Sequence, residues 1–238
     1  MIDKQIATIE AAVADIRDGA TVMLSGFGEA GHPTDLIHAL LDQGARELTI
    51  IANNAGNGYV GVAALINAGR VRRIVCSFPK SSQSVVFNEF YARGAIELEL
   101  VPQGTLAERI RAAGAGVPAF YTPTSAGTPL ADGKEVRDFG GRPHVLEHAL
   151  RADVALVKAE TADRWGNLTY RKAARNFGPI MCMAADLSIV QVRRHVGLGD
   201  IDPEIVVTPG IFVGRTVTVA EPADEQALIA SGYRREPT

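Results

Sequence analysis

Along the first half of the chain, short apolar runs alternate with apolar positions at helical spacing. Ile6, Ile9, Val13 and Ile16 fall on one face of a predicted helix, which Gly19 closes. After the Asp18-Gly19 turn signal, residues 20–24 form a buried-strand run. Gly26, Gly28 and Gly31 come next, and Pro33 opens a helix carrying Leu36, Ile37, Leu40 and Leu41. Proline suits a first helical turn because its φ is preset and no N–H is needed there. The alternation then repeats: strand 47–52, turn cluster 53–58, helix 60–68 and strand 71–76. A helix carrying Val85, Val86 and Phe90, capped by Ser81, leads to strand 96–101. Thr105-Leu106-Ala107-Glu108 reads as a capping box that starts the next helix.

Strands and helices in this order, with short connections, predict an α/β fold. It is an open, mostly parallel sheet with helices on both faces. Right-handed crossovers follow. The loops at 26–31, 53–58, 77–80 and 102–104 all leave carboxyl ends of strands, where such sheets bind ligands. They are expected to gather on one edge. From 114 to 143 glycine, proline and threonine become frequent, which predicts an irregular or short-hairpin insertion with a turn at Gly140-Gly141. Strand-like runs resume at 154–158, 187–192 and 205–207, and Pro209-Gly210 is a turn before the run 211–219. Residues 163–168 are turn-rich and hold the single tryptophan, Trp165. The expected organisation is one domain over residues 1–220 and a polar tail over 221–238, with a short helical run near 227–229.

Composition narrows function more than fold. A net charge of −3 over 238 residues argues against a nucleic-acid partner. Cys76 and Cys182 are far apart and follow no secretory signal, so they read as reduced, buried thiols of a cytoplasmic protein. No stretch is long and apolar enough to span a bilayer, so no membrane partner is expected. His144 and His148 have i, i+4 spacing but no third ligand, and no metal is expected. There is no G-x-S-x-G elbow and no Walker A sequence. Lys158, Arg171, Lys172 and Arg175 have the charge to hold an anion, although surface solvation is their default.

Gly26-Phe27-Gly28-Glu29-Ala30-Gly31 admits two readings. Glycines with positive φ bring backbone N–H groups close to a ligand, and a helix N-terminus adds unpaired donors and a positive dipole end. That combination suits a phosphate, a carboxylate or an oxyanion. The plainer reading is a strand-to-helix connection with glycines for packing. A dinucleotide fingerprint fails on context: Pro33 starts a helix two residues after Gly31, and Ala52-Asn53-Asn54 supplies no acidic residue for a ribose. Gln103 is either an exposed loop residue or an amide placed to stabilise an oxyanion. The asparagines near Asn53 either shape turns or hold a carboxylate or carbonyl.

Asp18-Gly19, the apolar run, Gly26-Phe27-Gly28, Gly31 and Pro33 resemble the signature of the A (alpha) subunit of 3-oxoacid CoA-transferases. Residues 101–111 (Val-Pro-Gln-Gly-Thr-Leu-Ala-Glu-Arg-Ile-Arg) are similar to a second family stretch. Residues 166–170, 174–179 and 208–213 are similar to others, all in family order over about nine-tenths of the chain. One departure is Ser25, where the family often has a glycine; serine is small, and an intact loop is expected. Asn53-Asn54-Ala55-Gly56-Asn57-Gly58 and Cys76-Ser77-Phe78-Pro79 look like the 3-oxoadipate branch, which serves aromatic catabolism, more than the acetoacetate branch.

The resemblance implies a reaction shared by two subunits in a heterodimer or heterotetramer. A glutamate of a B (beta) subunit, in a Ser-Glu-Asn-Gly type motif, attacks succinyl-CoA and carries CoA to the 3-oxoacid. This chain contains no Glu-Asn pair, so the nucleophile is expected on the partner. The resemblance assigns Gln103 to oxyanion stabilisation. It assigns Ser25, Gly26, Phe27, Gly28, Glu29, Ala30, Gly31, Asn53 and Gly104 to the CoA and substrate site. Coenzyme A is a substrate, and no cofactor is held permanently. Phe27 either packs under the loop or touches ligand. Two other classes fit a parallel sheet with such a loop: a sugar-phosphate isomerase with its own acid and base, and a non-enzymatic ligand sensor.

Overall fold

The computed structural model describes residues 2–237. The elements run β1 (Gln5–Ile6), α1 (Ile9–Val13), β2 (Thr21–Leu24), α2 (Thr34–Gln43), β3 (Leu48–Ile51), α3 (Gly61–Asn67), β4 (Val71–Cys76), α4 (Val85–Ala92), β5 (Glu97–Leu100) and α5 (Gln103–Gly114). They continue with β6 (Ala119–Thr122), β7 (Val136–Phe139), β8 (Arg142–His148), β9 (Ala152–Ala162), β10 (Leu168–Thr169), α6 (Gly178–Ala184), β11 (Ala185–His195), β12 (Arg215–Thr218) and α7 (Glu225–Ala230).

The main sheet has the order β1-β12-β11-β9-β2-β3-β4-β5, parallel throughout, with β10 antiparallel on β9. Its central strands, β2, β3 and β9, are buried on both faces, so they read as largely apolar runs, whereas edge strand β5 alternates Glu and Leu. Successive side chains still point to opposite sides. Val22 and Leu24 join Leu36, Leu40 and Leu65 in one core under α1–α4. Met23 joins Leu106, Ile110 and Met181 in a second core under α5 and α6. Leu36, Leu40 and Leu41 are fully buried, and truncating one to alanine would cost about 2–5 kcal/mol. The chain lays β3, β4 and β5 to one side of β2, and β9, β11 and β12 to the other. The order therefore reverses beside β2, the position where ligand crevices open in such sheets.

The insertion is a small antiparallel sheet, β6-β8-β7, with Gly140 and Gly141 at positive φ in the hairpin between β7 and β8. It is fastened to the main sheet by Arg109 of α5. That side chain donates from Nε to the His148 carbonyl (2.8 Å) and from Nη1 to Glu99 (2.7 Å). Burial pushes the Glu99 carboxyl up, but Arg109 and Arg73 outweigh it and hold the group below its ordinary value.

Several expected elements differ in detail. Ile6 lies in edge strand β1 and not on the first helix, because Thr8 caps the helix by accepting from the Ala11 N–H. The helix expected to start at Ser81 starts after Ser84, and Ser81 bonds the Ser84 hydroxyl instead. The Thr105–Glu108 capping box is not used. Pro102, with extended ψ, lets α5 begin at Gln103, so Thr105 sits inside the helix and is buried. The strand expected at 205–207 is absent. Asp202 caps a 3-10 turn, Pro203–Ile205, and the last strand begins at Arg215. Helix α6 had no counterpart among the expected elements. His144 and His148 lie on strand β8, not on a helix, and no metal-holding group of three or more His, Cys, Asp or Glu exists among the described residues. No helix among them is long and apolar enough to cross a membrane. Cys76 and Cys182 are free and buried, and burial pushes both thiols up to about 12, which leaves them unreactive.

Candidate functional site

The four loops at the carboxyl ends of β2, β3, β4 and β5 meet around a cavity of about 500 Å³. Phe27, Gly28 and Glu29 come from the first loop; Asn53, Asn54 and Asn57 from the second. Ser77, Phe78, Ser81 and Ser84 come from the third, and Gln103 from the fourth. Gln103 also lines an adjoining hollow of about 260 Å³ with Gly104, Ala107, Asn176, Phe177 and Ile180. Another hollow, about 390 Å³, opens at the amino ends of the strands near Asp15, Asp18 and Asp153. There Asp15 is paired with Arg215 and Asp153 accepts the Thr21 N–H, and no reactive set is assembled.

Asn53 is the centre of the polar wall. It is buried, and its carbonyl accepts from the N–H groups of Ser77 (3.2 Å) and Phe78 (3.0 Å). Its side-chain Oδ1 accepts from Ser77 Oγ (2.8 Å) and from Gln103 Nε2 (2.7 Å). One N–H of the Gln103 amide is thereby fixed, which orients the other. The Asn53 Nδ2 group has no partner in the chain among the described residues. Farther along the wall, Ser81 and Ser84 donate to Asn57 Oδ1 (2.6 and 3.3 Å). Asn57 Nδ2 in turn donates to Glu29 Oε1 (3.2 Å). Glu29 is the single ionisable side chain among the lining residues.

The glycine loop is a short reversal. Phe27 and Ala30 exchange backbone hydrogen bonds (3.0 and 3.2 Å), which places Gly28 and Glu29 at its tip. The tip N–H groups of Gly28 and Glu29 have no partner among the described residues. Gly31 is held at φ +77°, and a Cβ there would lie 2.2 Å from the Ala174 carbonyl oxygen. Asn176 fastens the same loop from the far side, accepting from the Gly26 N–H (3.1 Å) and donating to the Ala30 carbonyl (2.8 Å).

Not every expected site residue reaches the cavity. Phe27, Gly28, Glu29, Asn53 and Gln103 line it, and Gly104 lines the adjoining hollow. Phe27 does not pack beneath the loop: it stands 53% exposed at the rim, with Phe78 59% exposed nearby in the same lining. Ser25 is buried, donating to the Gly31 carbonyl (2.8 Å) and accepting from the Lys158 N–H (3.2 Å). It braces the loop from inside, which explains why a hydroxyl is accommodated there. Gly26, Ala30 and Gly31 shape the reversal without lining the cavity. Arg171, Lys172 and Arg175 lie outside the lining as well. Sequence reasoning gave Ser81 only a capping role, counted Asn57 only within the turn cluster, and assigned nothing to Ser84 or to the bridge made by Asn176. Their partners come from distant loops, so no periodicity marks them.

The helix N-terminus that follows the glycine loop differs from the one at the cavity edge. At the start of α2 the protein supplies acceptors of its own: Glu225 accepts from the Thr34 hydroxyl, and Gln191 Oε1 accepts the Leu36 N–H (3.2 Å). The start of α5 is open. Pro102 offers no capping side chain, and the N–H groups of Gln103, Gly104 and Thr105 have no partner among the described residues. The orphan donors and the positive dipole end therefore face the cavity edge at Gln103.

The coenzyme A transferase family model matches residues 6–218. The chain belongs to the coenzyme A transferase family. It is similar to the A subunit of 3-oxoadipate CoA-transferase from Pseudomonas putida, 61% identical over 220 residues, which covers 92% of this chain and 95% of that protein. It is also similar to the A subunit of succinyl-CoA:3-ketoacid coenzyme A transferase from Xanthomonas campestris pv. campestris (strain B100). That match is 47% identical, over 96% of this chain and 95% of the relative. Among solved structures, glutaconate coenzyme A-transferase from Acidaminococcus fermentans superposes with a TM-score of 0.85 at 21% identity, covering 96% of this chain and 83% of that one. This last likeness bears on the fold alone, and it is the parallel sheet described above. The chain is a CoA-transferase component, and coenzyme A is a substrate of its family.

Proposed function

We propose that this chain is the A subunit of a cytoplasmic CoA-transferase that moves CoA from succinyl-CoA to 3-oxoadipate, working as a heterodimer or heterotetramer with a B subunit. The observation that carries the reading is the cavity wall: an amide held by Asn53 stands at the open start of α5, beside unpaired backbone N–H groups. Donors fixed in advance stabilise charge that develops on a carbonyl oxygen. The relatives' names, 3-oxoadipate CoA-transferase at 61% identity and succinyl-CoA:3-ketoacid transferase at 47%, favour 3-oxoadipate over other 3-oxoacids.

The steps follow from carboxylate and thioester chemistry. The partner's glutamate attacks the succinyl thioester carbonyl, and CoA thiolate leaves a mixed anhydride. The thiolate attacks the glutamyl carbonyl, succinate departs, and a glutamyl-CoA thioester remains. The 3-oxoadipate carboxylate then attacks that thioester, again expelling thiolate and forming an anhydride. Attack of the thiolate on the 3-oxoadipyl carbonyl releases the glutamate and the product. Each step builds negative charge on a carbonyl oxygen, which Gln103 Nε2 and the α5 N–H groups are placed to receive. Gly28, Glu29 and Asn53 contact the bound substrates, and Phe27 flanks them at the rim.

One observation favours a second location for the nucleophile: Glu29 is a carboxylate in the cavity wall. Succinyl-CoA-dependent transfer to 3-oxoadipate, measured on this chain alone and on the complex with its co-expressed partner, decides. Activity only in the complex supports a shared site. Activity of the pure chain would move the nucleophile to Glu29. A folded complex inactive with 3-oxoadipate but active with acetoacetate would overturn the choice of acid.

A further inference from the structure

The family match ends at residue 218, yet the chain beyond it turns back onto the loops that line the cavity. The Ala223 N–H donates to Asp35 (3.2 Å), Arg235 pairs with Asp42, and the Arg235 N–H donates to the Tyr59 carbonyl (3.1 Å). The Arg234 guanidinium lies 3.9 Å over the Tyr59 ring. Between these anchors, α7 carries Glu225 into the protein. That carboxylate is only 6% exposed. Its Oε2 lies 2.6 Å from His32 Nδ1 and also accepts from the Thr34 hydroxyl.

We propose that Glu225 is a positioning residue that fixes the loop after β2 and the loop after β3 in one geometry. His32 closes the glycine loop, and its ring packs where a Cβ on Gly26 would be, 3.0 Å away. The same carboxylate abuts Gly61, which follows the asparagine loop: a Cβ there would lie 2.9 Å from Glu225 Oε2 and 3.0 Å from His32 Cε1. Ile229 of α7 packs on Gly58 of that loop, where a Cβ would meet it at 3.4 Å. One buried carboxylate–imidazole contact thus touches both segments that carry Gly28, Glu29, Asn53 and Asn57 to the cavity. Burial alone would raise the Glu225 carboxyl, but His32 and the hydrogen bonds from His32 and Thr34 outweigh it and keep the group ionised. A buried pair of this kind adds little net stability, but it demands that its partners stay in place.

The effect on substrate rests on the CoA-transfer reading; the effect on the loops does not. The experiment therefore has two readouts on the purified complex: backbone hydrogen exchange and steady-state kinetics. Glu225→Ala should speed exchange at residues 26–32 and 53–61 about tenfold or more, as expected for loss of a charged hydrogen bond. It should raise KM for succinyl-CoA by a similar factor, with kcat within about twofold. Glu225→Gln keeps an acceptor for Thr34 and should fall between Ala and wild type, and it serves if the alanine variant fails to fold. Faster exchange confined to residues 221–237, or loosened loops with KM unchanged, would overturn the proposal. So would a fall in kcat at constant KM. A wild-type complex without transfer activity would sink the functional reading and leave the exchange test intact.

Discussion

Two helix starts follow carboxyl ends of strands in this fold and have different fates. At α2, the chain brings its own acceptors to the helix start. Glu225 meets Thr34, while Gln191 accepts from Leu36 and donates to Asp35 (2.8 Å). At α5, a proline cap leaves three N–H groups without partners among the described residues, and Gly104 has open space where a Cβ would be. Both ends carry the same partial positive charge, worth about 0.3–1 kcal/mol to a nearby anion. A ligand gains it only where the chain has not supplied its own carboxylate. The glycine-rich stretch marks the closed end, and a plain Pro-Gln-Gly marks the open one.

The largest break in that contrast is expected from Gln103→Ala. Removing an oriented oxyanion donor lowers kcat by about a hundredfold, with assembly and melting temperature unchanged. A variant at wild-type rate would leave the open helix end without a catalytic role. Gly104→Asp tests the same end from the other side. A carboxylate there competes for the orphan N–H groups and the positive helix end, so KM for succinyl-CoA is expected to rise about tenfold. An unchanged KM would show that the α5 terminus does not meet the substrate.

The difference between the two ends also marks what could be read in advance. Strands β2 and β3 and the core helices were legible because burial on both faces writes continuous apolar runs, and Leu36, Ile37, Leu40 and Leu41 keep helical spacing. The convergence of four loops followed from parallel topology alone. Family motifs brought Gln103 and Asn53 forward. The closure of α2 was not legible, because Glu225 stands 191 residues from Thr34 in a segment that looked like a polar tail. Nor was the inward role of Ser25, which depends on a carbonyl six residues on and on the β9 backbone. Hydrogen bonds between distant loops leave no period in a sequence.

A smaller effect is expected at the cavity's one ionisable wall residue. If the nucleophile belongs to the partner, Glu29→Gln keeps the oxygen that Asn57 holds and changes kcat/KM by about threefold at most. Loss of a nucleophile would instead lower the rate by about a thousandfold or more. Rates of the co-expressed complex, with and without the substitution, separate the two.

The smallest expected effect lies behind the closed end, at His38. Burial lowers its pKa, and the charge of Arg235 lowers it further, against the weaker pull of Glu225, Asp35 and Asp42. Its Nε2 accepts the Gly61 N–H at 3.1 Å, so the folded state holds it neutral at that nitrogen. The unfolded chain takes up a proton near 6.5, above the folded value. Below that pH the unfolded state binds more protons, and stability declines as pH falls toward the folded pKa. Glu225 acts in a lower window: its depressed carboxyl contributes stability above about 4.5, which is lost as pH falls through the folded value. Two steps are therefore expected in a plot of melting temperature against pH, with a shallow one starting near 6.5. His38→Gln, which keeps an acceptor and does not titrate, should shrink the shallow step, to which His195, also lowered by burial, contributes the rest, and leave the acid one. A wild-type curve that is flat between about pH 7 and 5 would show that α2 and α3 are not joined through a neutral His38.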